Sequence, residues 1–178
     1  MMKLRIALLY VIFAFYIYAL FKIVLFKGYS IDLMYLGEQL RISVQDPFRI
    51  ADRIGHGNLV PLHEIKRALE AGTNHGFLNV YGNIAIFAPF GLLHGLLGIR
   101  SGGTLAATAK NAFILSLFLE LLQATFAIGA FDVDDMLLNT CGGVIGYLVY
   151  RLYVQCRGWL RGRGTDKEKP RAARIGTI

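Results

Sequence analysis

The stretch IALLYVIFAFYIYALFKIVLF, residues 6–26, is an apolar run that a single lysine interrupts near its far end. A helix needs about 20 apolar residues to cross the roughly 30 Å hydrocarbon core of a bilayer. The run is longer than the apolar region of a typical secretory signal, and no A-x-A-like cleavage site follows it. We therefore expect residues 6–26 to form a membrane span.

Three more apolar blocks occupy the second half of the chain, at about residues 77–99, 105–128 and 133–153. The composition agrees with a membrane protein, because 55% of the residues are hydrophobic and the mean hydropathy is +0.49. The connections between the last three blocks are short, so neighbouring spans are expected to be antiparallel. The sequence predicts an all-α integral membrane four-helix bundle that forms one domain, residues 1–156.

Two segments lie outside these blocks. A loop of about 50 residues follows the first block, and within it LHEIKRALEA, residues 62–71, has apolar residues at helical spacing. This predicts a short helix that lies on the membrane surface or caps the bundle, with an ordinary loop helix as the alternative. The basic tail, residues 157–178, is expected to be disordered.

The basic residues predict an orientation, because cytoplasmic loops carry an excess of Lys and Arg. The side holding the two termini would carry twelve of them and the other side seven. Both termini are therefore expected in the cytoplasm. The net charge is +7, and the basic residues are concentrated in the tail and at the ends of the apolar blocks. A lipid bilayer is therefore the expected partner, and nucleic acid is not. The cysteines and histidines show no metal-ligand spacing, and no metal or cofactor is expected.

Several polar side chains lie inside the predicted spans or at the start of the last one, and the topology places all of them in the outer leaflet. An ionised carboxylate at mid-bilayer costs at least about 2.5–3.5 kcal/mol. These residues therefore form a candidate ligand pocket open to the outside: Asn79, Asn83, Glu120, Gln123, Asp132, Asp135 and Asn139. The alternative is that they join helices by hydrogen bonds alone, each contributing roughly 0.6–2 kcal/mol. Asp134 lies on another helical face and is the weakest candidate.

The small residues of the spans have a packing interpretation. Pro89 is expected to kink its helix, because proline cannot donate a backbone hydrogen bond. Gly91 and Gly95 form one G-x-x-x-G pattern, and Gly142 and Gly146 form another. Such patterns let membrane helices approach closely.

Four motifs follow one another in the order that a known family uses. They are NLVPLHEI at residues 58–65, NVYGNIAIFAPFGLL at 79–93, the E-x-x-Q of Glu120 and Gln123, and FDVDDMLLNTCGGVIGY at 131–147. Together they resemble the VanZ-like family of bacterial membrane proteins over roughly residues 58–150.

One position departs from the family pattern. The family usually has an arginine three residues before the first aspartate of the last motif, and Gly129 stands there in this chain. The acidic cluster therefore lacks the basic partner that the family would supply. Our hypothesis is that an arginine of the outer loop replaces it: Arg49, Arg53 or Arg67.

The resemblance implies a setting more than a reaction. It links the chain to the bacterial cell membrane and to resistance against the glycopeptide teicoplanin. The first hypothesis is a non-enzymatic protein that binds a lipoglycopeptide or a lipid-linked cell-wall precursor. The alternatives are an intramembrane enzyme that uses Glu120 and Asp135 as acid and base, and a small transporter. No catalytic residue is assigned, and the sequence predicts no oligomeric state.

Overall fold

The computed structural model describes residues 2–26, 32–98 and 103–166. These residues form helices and no named strand, with one isolated parallel bridge between Asn58 and Asp132. In chain order the helices are α1 (Met2–Phe26), α2 (Leu33–Gln45), α3 (Phe48–Gly55), α4 (His63–Ala71), α5 (Asn74–Leu97), α6 (Leu105–Phe126) and α7 (Val133–Asp166).

Three of these helices are long and apolar enough to cross a membrane. They are the stretches Lys3–Phe26, Gly76–Leu97 and Leu105–Phe126, which coincide with the first three predicted spans. The fourth predicted span is also helical, since α7 runs for 34 residues. Helix α7 is not among the three helices that are long and apolar enough to cross a membrane. Its first two turns carry Asp134, Asp135 and Asn139.

Side-chain contacts fix the directions of the long helices. The ring of Phe13 lies 6.0 Å from that of Phe90, and the Tyr16 hydroxyl donates to the Ile86 carbonyl at 2.7 Å. Later residues of α1 therefore contact earlier residues of α5, so the two helices are antiparallel. The rings of Phe21 and Phe118 lie 6.2 Å apart, and the Gln123 amide donates to the Val24 carbonyl at 3.0 Å. Later residues of α1 therefore contact later residues of α6, and these two helices run in the same direction.

Helices α5 and α7 meet through their glycines. A Cβ atom at any of the four would collide with the facing helix: Gly91 with the Gly143 carbonyl, Gly95 with the Tyr150 ring, Gly142 with the Ile84 carbonyl, and Gly146 with the Ala88 carbonyl. Later residues of α5 contact later residues of α7, so these two helices are parallel. This close approach is the one that small residues permit between membrane helices.

The segment between α1 and α5 contains more structure than the sequence predicted. The expected helix at residues 62–71 is present as α4, but α2 and α3 were not predicted. Asp32 caps α2 by accepting from the N–H groups of Met34 and Tyr35, both at 3.0 Å. Pro47 stands at the start of α3, where its missing N–H is tolerated.

The prediction of disorder from residue 157 was wrong for its first part, because α7 continues to Asp166. The Arg157 guanidinium lies 5.5 Å from the centre of the Tyr153 ring and donates to its hydroxyl at 2.9 Å. Such i,i+4 pairs stabilise a helix. Residues 167–178 lie outside the described residues.

Candidate functional site: a polar centre beneath a helical cap

Helices α2, α3 and α4, which we call the cap, cover one end of the long helices. The cap is attached at α4 by Asp134, whose side chain is 0% exposed. Its carboxylate accepts hydrogen bonds from the N–H groups of Leu62 at 2.5 Å and Glu64 at 2.7 Å. The first N–H groups of a helix have no partner within it. Asp134 of α7 therefore caps α4 from another helix.

Asn58 attaches the cap to the turn before α7. Its N–H donates to the Phe131 carbonyl at 2.8 Å, and its carbonyl accepts from Val133 at 3.0 Å. Its side-chain amide donates to Asp132 at 2.9 Å. Burial raises the pKa of the Asp132 carboxyl, against the opposing effect of hydrogen bonds from Asn58 and from the Asp134 N–H.

Arg53 attaches the cap to the end of α6. Its guanidinium donates to the carbonyls of Ala124 at 2.9 Å and Thr125 at 3.2 Å. The Ser43 hydroxyl donates to the Thr125 carbonyl at 2.7 Å. The last carbonyls of a helix lack partners and carry partial negative charge, so a cation is stabilising there.

Beneath the cap lies a polar centre, which we define as Asn83, Glu120, Gln123, Asp135 and Asn139 together with Asp132 and Asp134. Glu120 is only 1% exposed and accepts from the Asp132 N–H at 2.8 Å. Asn83 donates its side-chain amide to Asp135, which joins α5 to α7. The predicted residues of three spans and one turn thus meet at one end of the bundle.

Asn139 brings an unsatisfied group into this centre. Its amide nitrogen donates to the Ser116 hydroxyl at 2.8 Å, but its Oδ1 atom is buried and has no hydrogen-bond partner among the described residues. An unsatisfied buried acceptor costs about 1–3 kcal/mol. The centre therefore retains acceptor capacity for a donor such as water or a ligand group.

Gln123 occupies the space next to the position of the family arginine. Its amide donates to the Val24 carbonyl at 3.0 Å and ties α6 to the last turn of α1. A Cβ atom at Gly129 would lie 2.9 Å from the Gln123 amide carbon. Any side chain at Gly129 therefore requires the Gln123 amide to move.

The three arginines considered as replacements have their contacts elsewhere. Arg49 pairs with Asp46 at 3.3 Å, and Arg67 pairs with Glu64 at 2.7 Å. Arg53 is engaged with the carbonyls of α6. These contacts do not support the hypothesis that one of the three replaces the family arginine.

Asn79 does not join the polar centre. It is exposed and lines a cleft of about 280 Å³ between α4 and α5, together with Glu64 and Arg67. A second cleft of about 500 Å³ runs along residues 55–64 and also includes Glu64. The expected pocket open to the outside is thus divided. Glu120, Gln123, Asp134 and Asn139 are buried and the other residues of the centre are half-buried, whereas the open clefts lie along α4.

A second polar cluster, which the sequence analysis missed, lies at the opposite end of the long helices. His94 of α5 contacts the Thr108 hydroxyl at 2.9 Å and the Asn111 amide at 3.0 Å. The seven residues predicted to share the outer leaflet therefore do not include all the polar groups of the long helices. The signal was available, since His94 and Asn111 both fall inside the predicted spans.

The fold and this buried centre define a helical membrane protein with a structured cap at one end. The chain belongs to the VanZ/LLP1 family, whose sequence model matches residues 8–154, and the resemblance is confirmed. It is 42% identical over 78 residues to "Protein VanZ" of Enterococcus faecium. That match covers 43% of this chain and 46% of the relative, so it spans under half the length of either protein. No solved structure shows a significant match.

Proposed function

We propose that the chain crosses the bacterial cytoplasmic membrane four times, with both termini in the cytoplasm and the cap outside. The proposal is supported by α7, which packs along α5 through the glycine contacts and runs parallel to it. Residues 133–153 of α7 span about 31 Å at 1.5 Å per residue, enough for the hydrocarbon core. Exposed basic residues gather at the end opposite the cap: Lys3, Arg5, Lys110, Arg151 and Arg157.

We infer that the cap end binds an amphipathic ligand of the envelope, either a lipoglycopeptide antibiotic or a lipid-linked cell-wall precursor. The observation that carries this inference is the unsatisfied Asn139 Oδ1 in the polar centre beneath the cap. The attachments of the cap described above are hydrogen bonds, so the cap is able to release in steps. Opening it uncovers acceptors for the hydroxyl and amide donors that such ligands carry.

The surroundings of the cap suit the two parts of an amphipathic ligand. An apolar cleft of about 240 Å³ lies between α1, α2 and the end of α6, lined by Leu25, Phe26 and Ile128 among others. It lies beside the last turn of the first apolar helix and fits part of a lipid tail. The two polar clefts that share Glu64 fit sugar or peptide groups. We therefore propose a role in resistance to lipid-tailed glycopeptides such as teicoplanin.

The alternative is an intramembrane enzyme that uses Glu120 and Asp135. Both residues belong to the polar centre. One oxygen of Glu120 is already engaged by the Asp132 N–H. Acid–base work by Glu120 would therefore use its other oxygen. Among the described residues, no three potential metal ligands are grouped to hold an ion.

A resistance assay tests the proposal. Susceptibility is measured in a sensitive host with and without this chain, against glycopeptides with and without a lipid tail. We expect protection against the tailed compounds, lost in Glu120→Gln and Asp135→Asn while membrane protein levels are maintained. Asp52→Asn is the matched control, because this exposed carboxylate of α3 lies outside the centre. Protection that is absent in the parent, or unchanged in both centre variants, contradicts the proposal.

A further inference from the structure

A groove of about 470 Å³ opens between α1, α5 and α6, away from the cap. Its walls are apolar and its floor is polar. The walls are formed by Phe13, Ile17, Phe90, Ile114, Leu115 and Phe118, and the floor by His94 and Asn111. Its volume falls within the range of about 300–1,000 Å³ that is usual for small-molecule sites.

The hydrogen bonds of the floor fix its chemistry. The Thr108 hydroxyl donates to the Thr104 carbonyl at 3.0 Å, so toward His94 it acts as acceptor. His94 Nδ1 is therefore the donor, and in the neutral ring Nε2 is an acceptor. That acceptor takes the Asn111 amide hydrogen at 3.0 Å. The Asn111 side chain makes no other hydrogen bond among the described residues, so its Oδ1 atom and second amide hydrogen remain available to a ligand.

The charge at this end of the long helices is positive. Lys110 is exposed next to Asn111, and Lys3 and Arg5 are exposed on the first turns of α1, at the same end. The aspartates and glutamates of the described residues lie in the cap or the polar centre, except Asp166 at the end of α7. Anionic lipid headgroups are attracted to such basic clusters.

We propose that this groove seats one acyl chain of an anionic phospholipid from the bilayer, with its ester region at Asn111 and its phosphate at Lys110. From Asn111 to Phe118 the groove follows α6 for about 11 Å, and Lys110 precedes it at the basic end, which orders the site from headgroup to chain. Asn111 supplies an amide hydrogen for an ester carbonyl and Lys110 an ammonium for the phosphate. The site does not depend on the ligand of the cap end, and it requires only that the chain lie in a bilayer.

Native mass spectrometry tests this site. The full chain is reconstituted in nanodiscs of equal anionic and zwitterionic phospholipid, then released into mild detergent, and the retained lipids are counted. We expect one retained lipid, predominantly anionic. Lys110→Gln should reduce the preference for the anionic lipid about fivefold, because it removes one charge at the surface. Lys66→Gln, an exposed lysine of the cap, is the matched control and should leave the preference unchanged.

A second pair of variants separates the groove from general surface charge. Ile114→Trp fills the groove and should abolish retention of either lipid. Phe113→Trp enlarges a neighbouring exposed side chain that does not line the groove, and should retain lipid like the parent. A parent that retains no lipid, equal retention in Ile114→Trp and Phe113→Trp, or a lipid-free dimer in which a second copy fills the groove would overturn the proposal.

Discussion

The buried carboxylate of Asp134 lies 2.7 Å from the backbone N–H of Glu64, although 70 residues separate the two in the chain. This hydrogen bond joins α7 to the first turn of α4. At the same end, Arg53 of α3 joins the cap to the last turn of α6. The cap is thus held through the ends of two helices, where backbone groups lack partners of their own.

Asp134→Ala should release α4 and destabilise the protein. The change leaves the N–H groups at the start of α4 without an acceptor, and hydrogen bonds to charged groups contribute about 1.5–3 kcal/mol each. Hydrogen exchange should increase in residues 62–71 while α5 and α6 remain protected. Asp52→Ala removes an exposed carboxylate and serves as the control. Unchanged exchange in α4 would show that Asp134 does not hold the cap.

Asp132→Asn should alter the pH dependence of stability. Burial raises the pKa of this carboxyl, so the folded state binds its proton more tightly than the unfolded state does. The free energy of unfolding therefore falls as pH rises from the ordinary value of 3.8 through the raised pKa.

The asparagine variant lacks this fall, and its Oδ1 can still accept from Asn58. Relative to the parent, the variant should therefore gain stability as pH rises through that window. Thermal unfolding of both proteins in detergent across a pH series measures the difference. A difference that does not vary with pH contradicts the account of Asp132.

Two glycines of α5 should respond in opposite directions to alanine. A Cβ atom at Gly91 collides with the Gly143 carbonyl of α7, whereas nothing lies within 4 Å of a Cβ at Gly82. Gly82→Ala should stabilise the protein by up to about 1 kcal/mol, because alanine favours a helix more than glycine does. Gly91→Ala should lower the melting temperature. Equal effects would show that α5 and α7 do not approach as closely as described.

Gly129→Arg restores the family residue and should cost stability here. The new side chain displaces the Gln123 amide and breaks its hydrogen bond to Val24, a loss of about 0.5–1.5 kcal/mol. Gln123→Leu removes the same bond in advance. In that background, the cost of Gly129→Arg should be smaller, and an undiminished cost would exclude the proposed coupling.

Local properties of the chain predicted the long helices. The apolar runs of α1, α5 and α6 are visible in any window of 20 residues, and the glycine patterns mark the contact between α5 and α7. Helices α2 and α3 were missed because their stability depends on contacts with the distant end of α6, such as that of Ser43 with Thr125.

The candidate site was predicted only in part, for the same reason. Helical spacing correctly placed Asp134 on a different face from Asp135. It did not predict that this face contacts the N-terminus of α4. Asn79 and Asn83 are one turn apart, yet only Asn83 reaches down to α7. His94 and Asn111 were overlooked because only the polar residues near the outer ends of the spans were considered together.

We propose that an amphipathic ligand reaches the polar centre beneath the cap. The most direct measurement is the binding of a lipid-tailed glycopeptide and of a lipid-linked cell-wall precursor to the purified chain, compared with Glu120→Gln and with the Asp52→Asn control. We predict that the parent and the control bind at least one of the two and that Glu120→Gln binds it about tenfold more weakly, a loss of about 1.4 kcal/mol. Equal binding by all three proteins, or binding of neither ligand by the parent, would contradict the claim.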